Sequence, residues 1–110
     1  MPIVHVVQFG FNSSTSSEKI AEICSAMLAL KDKCIQPETK KSYIKSATGG
    51  IDNSPEGYQG GVTHVFIFEF ENTKDRGYYV EEDPAHKELK NSLEGVVNVV
   101  RVVDFEPGQF

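Results

Sequence analysis

The first and last strands predicted for this chain are apolar on both faces, and this limits its folds more than any other feature. IVHVVQF near the N-terminus and VVNVVRVVDF near the C-terminus are rich in β-branched residues, which favour strands. Successive side chains of a strand point to opposite faces of its sheet, so Ile3 and Val7 lie on one face while Val4 and Val6 lie on the other. Both faces of the sheet therefore need cover.

A helix is predicted after the first strand. Thr15 and Glu18 have the spacing of a capping box, so the helix begins there. An apolar stripe at helical spacing predicts the face that packs on the sheet. The stripe consists of Ile20, Ile23, Cys24, Met27 and Leu28.

Two further strands and a second helical unit follow. Strands are predicted over residues 42–48 and 62–70, and a last strand over residues 96–105. Between them Asn72 can cap a short helix and Asp83 a longer one. The order β-α-β-β-α-β is that of a ferredoxin-like unit, which predicts the α+β class.

The same order predicts how the molecule assembles. The 110 residues, 1–110, form a single domain whose two helical units can cover only one face of a four-stranded sheet. The other face is apolar, so we expect a homodimer in which two sheets pack face to face. The helix-covered face keeps its own pocket, where an apolar small molecule could bind.

Composition excludes several classes of partner. The net charge is −5 and no Lys/Arg cluster occurs, so nucleic acid is not expected. No apolar run approaches membrane-spanning length, and the N-terminus lacks the pattern of a signal peptide, which predicts a cytoplasmic protein without a membrane partner. Cys24 and Cys34 have no metal-ligand spacing and are expected to be reduced thiols. No metal or other cofactor is predicted.

The stretch EEDPAHKEL carries the most unusual histidine. Asp83 is placed to cap a helix with Pro84 at its first position, which puts His86 third, near unsatisfied backbone N–H groups. This positive environment disfavours imidazolium, whereas the Asp83 carboxylate favours it. We expect the neutral ring, which can accept a proton near pH 7.

Two strand histidines could share a pocket with His86. His5 and His64 lie on strands that are central neighbours in a ferredoxin-like sheet, so they come close if both face the helices. Phe66 and Phe68 would then line or floor the same cavity. The alternative is that all three histidines are structural, and spacing alone favours that interpretation.

The early histidine of PIVHVVQF, the Thr-His pair of VTHVFIFEF and the segment YYVEEDPAH together resemble the stress-responsive A/B barrel family. The resemblance spans nearly the whole chain and implies a dimeric α+β barrel of ferredoxin-like protomers. It also implies a function, because the olivetolic acid cyclase of this family closes a linear polyketide by intramolecular aldol condensation. By resemblance His86 takes the role of general base, and His5 and His64 fall at pocket-lining positions.

The tyrosine that assists the base in that cyclase matches less closely. Its position, six residues before the base, is Val80 here, while Tyr79 lies seven and Tyr78 eight residues before it. The resemblance therefore gives the assisting role to Tyr79 and a substrate-binding role to Tyr78. The first histidine of the cyclase motif is replaced by Asp83.

Two functions remain open at this point. One is a cofactor-independent lyase of the polyketide cyclase type, acting on an apolar substrate. The other is a stress-associated small-molecule-binding or structural dimer without turnover. Heme or metal binding through the three histidines is a distant third, because no local ligand spacing supports it.

Overall fold

Four strands form one antiparallel sheet in the computed structural model, which describes all 110 residues. They are β1 (Ile3–Phe11), β2 (Ile44–Ile51), β3 (His64–Phe70) and β4 (Val97–Phe105). Their order in the sheet is β2-β3-β1-β4, so the first and third strands are the central pair, as the sequence predicts. The ferredoxin-like α+β fold is confirmed.

Three helices connect the strands. They are α1 (Ser17–Lys33), α2 (Thr73–Glu81) and α3 (Pro84–Ser92). Asn72 and Asp83 cap α2 and α3 as predicted.

The predicted start of α1 is wrong by one residue. Ser16 is the cap, and its side chain accepts a hydrogen bond from the backbone N–H of Lys19. The Thr15 hydroxyl instead donates to the carbonyl of Val96, which ties the loop to β4.

The buried face of α1 also differs from the predicted stripe at one end. Ile23, Met27 and Leu30 are buried, with the i, i+4, i+7 spacing of a single face. Leu28 is 42% exposed. It lies beside this face, so the prediction that it belongs to the core is wrong.

Strand β2 continues three residues beyond its predicted end at residue 48. Gly49 faces Phe66 of β3, and a Cβ at this position would lie 2.4 Å from the Phe66 ring. The strand pairing therefore places a glycine where no side chain fits. Because the strand runs through the glycines to Ile51, the connecting loop starts at residue 52, and β3 begins at residue 64 rather than 62.

One face of the sheet forms the core with the helices. Phe66, Phe68 and Phe70 of β3 point to this face and are almost fully buried. They pack with Ile3 and Phe9 of β1 and with the buried stripe of α1.

The edge strand β4 is not covered by a helix. Helix α1 packs against β2 and α3, and α2 packs against β3. Val100 and Val102, which pair with Phe9 and Val7 and so point to the helix side, are each 52% exposed. A cleft therefore remains between α3 and β4.

The opposite face of the sheet has no helix over it, and it carries a group of apolar side chains together with Gln8, Glu69 and Arg101. Its β1 and β3 residues include Val4, Val6 and Ile67, and Val103 and Phe105 continue it on β4. Val103 is 59% and Phe105 50% exposed. We call this surface the open face; it is the face on which the sequence predicts a partner.

Candidate functional site

The cleft between α3 and β4 is a cavity of about 250 Å³. Nine of its twelve lining residues are hydrophobic, and the remaining three are basic. The lining residues are His5, Val7, Phe9, Met27, Tyr79, Val80, His86, Leu89, Lys90, Leu93, Val100 and Val102. An apolar wall with a few polar groups is typical of small-molecule sites.

The tautomer of His86 follows from its hydrogen bond. Its Nδ1 lies 2.7 Å from the backbone carbonyl oxygen of Tyr79. A carbonyl oxygen can only accept, so Nδ1 carries the proton and donates. In the neutral ring Nε2 is then the unprotonated nitrogen.

Nε2 is the free nitrogen of the His86 ring. It has no hydrogen-bond partner in the chain, and no buried side-chain nitrogen or oxygen of the chain is left without one. Nε2 is therefore accessible rather than sealed in the core, and His86 lines the cavity. A free imidazole nitrogen in this position can accept a proton from a bound molecule.

Tyr79 lies between the two histidines of the cavity. Its ring stacks on that of His86 at a centroid distance of 3.9 Å and meets the ring of His5 edge-on at 5.6 Å. Tyr79 is 1% exposed, and its hydroxyl makes no hydrogen bond within the chain. Tyr79 therefore belongs to the wall of the cavity together with the two histidines.

His5 is held by an acidic side chain from the edge strand. Its Nδ1 lies 2.7 Å from Oδ1 of Asp104, and Nη1 of Arg76 lies 2.9 Å from Oδ2 of the same carboxylate. The carboxylate accepts both bonds, so Nδ1 of His5 is protonated and its Nε2 is directed away from Asp104. His5 is 4% exposed and lines the cavity.

Burial favours the neutral forms of two groups at the cavity, the His86 ring and the Tyr79 hydroxyl. Burial lowers the pKa of His86, and electrostatic interaction with Lys90 and His5 lowers it further, whereas the Tyr79 carbonyl and Asp83 raise it. The expected direction is thus found, with burial as its largest cause. Burial also raises the pKa of the Tyr79 hydroxyl, which stays protonated and can donate.

A buried polar cluster fixes the start of α3. The two carboxylate oxygens of Asp83, which is 1% exposed, accept hydrogen bonds from the Ala85 N–H at 2.9 Å and from the Tyr43 hydroxyl at 2.5 Å. The thiol of Cys34 belongs to the same cluster, and burial, followed by Asp83, raises its pKa to about 12. The cluster therefore joins the end of α1 and the start of β2 to the helix that carries His86.

His64 does not reach the cavity, so the expected convergence of three histidines is wrong. It points to the helix side, but it pairs with Phe9, whereas His5 pairs with Phe68. Four residues along a strand separate the two histidines by about 13 Å. His64 instead packs edge-on against Phe11 at 5.0 Å and contacts the Thr63 hydroxyl, and burial lowers its pKa.

Three other residues that were expected in the pocket do not line the cavity either. Phe66 and Phe68 lie in the core beneath the helices and do not line the cavity, so that expectation is also wrong. Tyr78 faces away from the cavity and packs edge-on against Tyr43 at 5.6 Å. Val80, which occupies the position of the assisting tyrosine in the related cyclase, lines the cavity beside Tyr79.

Several site residues were not predicted from the sequence. Lys90 lies four residues after His86, a spacing that places both on one face of α3 and could have indicated it. Val100 and Val102 have the alternation of a strand face, but nothing in the sequence indicates that β4 lies outside the helix layer. Asp104 has no local signal of its pairing with His5.

The histidines do not form a metal site. With His64 away from the cavity, no group of three or more His, Cys, Asp or Glu side chains is arranged to hold a metal ion. None of the helices is long and apolar enough to span a bilayer. Cys24 and Cys34 are both free thiols.

Comparison with known proteins gives the chain a family. Residues 3–107 match the model of the Stress responsive A/B Barrel Domain. The crystal structure of At3g17210 from Arabidopsis thaliana is similar at 30% identity with a TM-score of 0.82, covering 98% of this chain and 97% of that one. A search of curated proteins finds no significant match.

Two more distant structures share the fold. A hydroxynitrile lyase from Passiflora edulis is 19% identical with a TM-score of 0.80, covering 99% of this chain and 96% of that one. A dimeric ferredoxin-like protein from Jannaschia is 17% identical with a TM-score of 0.74, covering 96% of this chain and 99% of that one.

Proposed function

Because the chain belongs to the stress-responsive A/B barrel family, we propose that it is a cofactor-independent lyase of the polyketide cyclase type, with His86 as general base. The observation that carries this proposal is the accessible Nε2 of a neutral His86, fixed by the Nδ1 bond to the Tyr79 carbonyl, in an apolar cavity. The similarity of fold to a hydroxynitrile lyase supports the lyase class.

The proposed chemistry begins with a proton transfer. Nε2 of His86 takes a proton from a carbon next to a substrate carbonyl, and the carbonyl oxygen gains negative charge as the enolate forms. The lowered pKa of His86 keeps the ring neutral and able to accept at pH 7. In the aldol step, the enolate carbon forms a bond with a second carbonyl carbon of the same molecule, whose oxygen then takes a proton. Loss of this hydroxyl as water and enolisation of the remaining ketones give the aromatic ring.

Tyr79 is the proposed donor to the developing oxyanion. Its hydroxyl stays protonated because burial raises its pKa, and it has no partner in the chain that competes for the bond. A preorganised donor in an apolar site stabilises such an oxyanion strongly. The stacking of Tyr79 on His86 keeps the donor next to the base. His5, oriented by Asp104, provides a second imidazole that can bind the substrate or return the proton.

We further propose that the protein is a homodimer in which two open faces pack together. An apolar surface that includes Ile67, Val103 and Phe105 has no cover within the chain. The Jannaschia relative of the same fold is dimeric. The two free thiols support a location in the reducing interior of a cell, such as the cytoplasm.

The test of the activity is a comparison of variants on a linear 3,5,7-trioxoalkanoyl thioester, whose C2 enolate can close a six-membered ring on the C7 carbonyl. The wild type should form the cyclised aromatic product above the uncatalysed rate. His86→Gln should lose this activity, since glutamine cannot accept the proton, and Tyr79→Phe should lower it about 100-fold through loss of the oxyanion donor. His64→Gln, outside the cavity, is the matched control and should retain activity.

The alternative function is a binding or structural dimer without turnover. It is favoured by the valine at position 80, where the related cyclase has its tyrosine. Saturable binding of apolar ligands without product formation from thioester or hydroxynitrile substrates would support this alternative against the lyase.

A further inference from the structure

The charge of the cavity differs from that of the chain. The protein has 16 acidic and 11 basic residues, counting Lys and Arg, yet no acidic residue lines the cavity. The lining side chains that can carry a charge near neutral pH are His5, His86 and Lys90, and all three are bases. A site for an entirely apolar molecule does not need a cation, so this set indicates a ligand with negative charge.

Lys90 is the permanent charge among these groups. It lies one helical turn after His86 on α3, at a rise of roughly 6 Å along the helix axis. Lys90 is exposed and forms no ion pair, unlike Lys19, Lys45 and Lys74, which each lie within 4.0 Å of a glutamate. Its ammonium is therefore available to a ligand whose apolar part occupies the cavity.

We infer that the cavity takes an apolar molecule that ends in a carboxylate, and that Lys90 binds this carboxylate. The inference rests on the proposed function and deepens it, because it gives the substrate a free carboxylate in addition to its reacting carbonyl groups, which a simple alkanoyl thioester lacks. The apolar chain packs against Val100, Val102 and Leu93, and the carboxylate lies at the mouth of the cavity. The reacting carbon then lies several bonds from the carboxylate, near Nε2 of His86.

The test uses two probes of equal chain length, octanoate and octanol. Binding is followed at pH 8 through the methyl NMR signals of Val100 and Val102, because ordinary histidines, with a pKa near 6.5, are neutral at this pH. The wild type should bind octanoate about fivefold more tightly than octanol, as expected for one exposed ion pair, and the preference should fall as salt is added.

Variants identify the residue responsible. Lys90→Gln should bind both probes equally, whereas Lys87→Gln, which changes a lysine of α3 outside the cavity, should keep the preference for octanoate. Equal binding of the two probes by the wild type, or a preference that survives in Lys90→Gln, would overturn the inference. The His86→Gln variant should keep the preference, so failure of the proposed lyase activity and failure of carboxylate binding are separate outcomes.

Discussion

Replacing Tyr43 by phenylalanine tests the buried cluster that holds the start of α3. The change removes only the hydroxyl that donates to Oδ2 of Asp83 at 2.5 Å. The ring remains, so its stacking on Phe70 at 6.2 Å and its edge-on contact with Tyr78 are kept. No side-chain cavity is created beyond the volume of one oxygen atom.

The expected loss of stability is about 2 kcal/mol. A hydrogen bond to a charged group contributes about 1.5–3 kcal/mol, and Asp83 at 1% exposure has no water to replace the lost donor. A loss of 2 kcal/mol lowers the equilibrium constant of folding roughly 30-fold. Because Asp83 also caps α3, the helix that carries His86 should loosen at its first turn.

Urea unfolding at pH 7, at one fixed protein concentration because the protein is proposed to be a dimer, measures this loss. The m-value should not change. Tyr58→Phe is the matched control, since Tyr58 is 88% exposed and its variant should unfold at the wild-type urea concentration. A loss below about 0.5 kcal/mol for Tyr43→Phe would mean that the Asp83 carboxylate does not depend on this bond, and the reasoning about the cluster would be refuted.

Three further predictions concern packing, pH and assembly. Gly10→Ala would place a Cβ 2.3 Å from a loop carbonyl and should lower the free energy of unfolding by about 1–3 kcal/mol. Gly50→Ala places its Cβ in open space and should leave the free energy of unfolding unchanged. Thermal unfolding compares the two variants, and equal midpoints would contradict the close approach at Gly10. Burial lowers the pKa values of His86 and His64, so the folded state favours their neutral forms. The resulting stability is present above the unfolded-state pKa of about 6.5 and is lost as the pH falls through the folded-state pKa values. Urea unfolding between pH 5 and 8 should show the decline, smaller in His86→Gln, and stability that rises toward pH 5 would show the sign to be wrong. Sedimentation should give about twice the chain mass of 12.2 kDa, and Ile67→Lys on the open face should weaken the dimer; a wild-type monomer at micromolar concentration would exclude the proposed assembly.

Much of the fold could be predicted from short-range patterns. The alternation in VTHVFIFEF places Phe66, Phe68 and Phe70 on one face whatever the rest of the chain does, and the structure buries all three. Asp83 and Pro84 carry the local signal of a helix start, which the structure reproduces with the side chain of Asp83 on the Ala85 N–H. These features depend on residues a few positions apart, which the sequence displays directly.

The site depends on long-range register and could be predicted only in part. Alternation along each strand shows which neighbours share a face with His5 or with His64, but whether the two histidines meet is set by the pairing of His5 with Phe68, which no local pattern encodes. The cavity exists because the helices leave β4 uncovered, and this exposes Val102 in a strand that carries valines on both faces. His86 could be predicted because its helix position has a local signal; its hydrogen bond to the Tyr79 carbonyl could not.

The protonation state of His86 is the central claim, and side-chain histidine NMR tests it most directly. Long-range ¹H–¹⁵N correlation spectra across a pH titration report both the tautomer and the pKa of each ring, with His86→Gln providing the assignment. The account predicts a His86 pKa below the ordinary value of about 6.5 and a neutral form with the proton on Nδ1, which donates to the Tyr79 carbonyl. A pKa above 7, or a neutral ring protonated on Nε2, would contradict it, because His86 would then have no free nitrogen able to take a proton from a molecule in the cavity at pH 7.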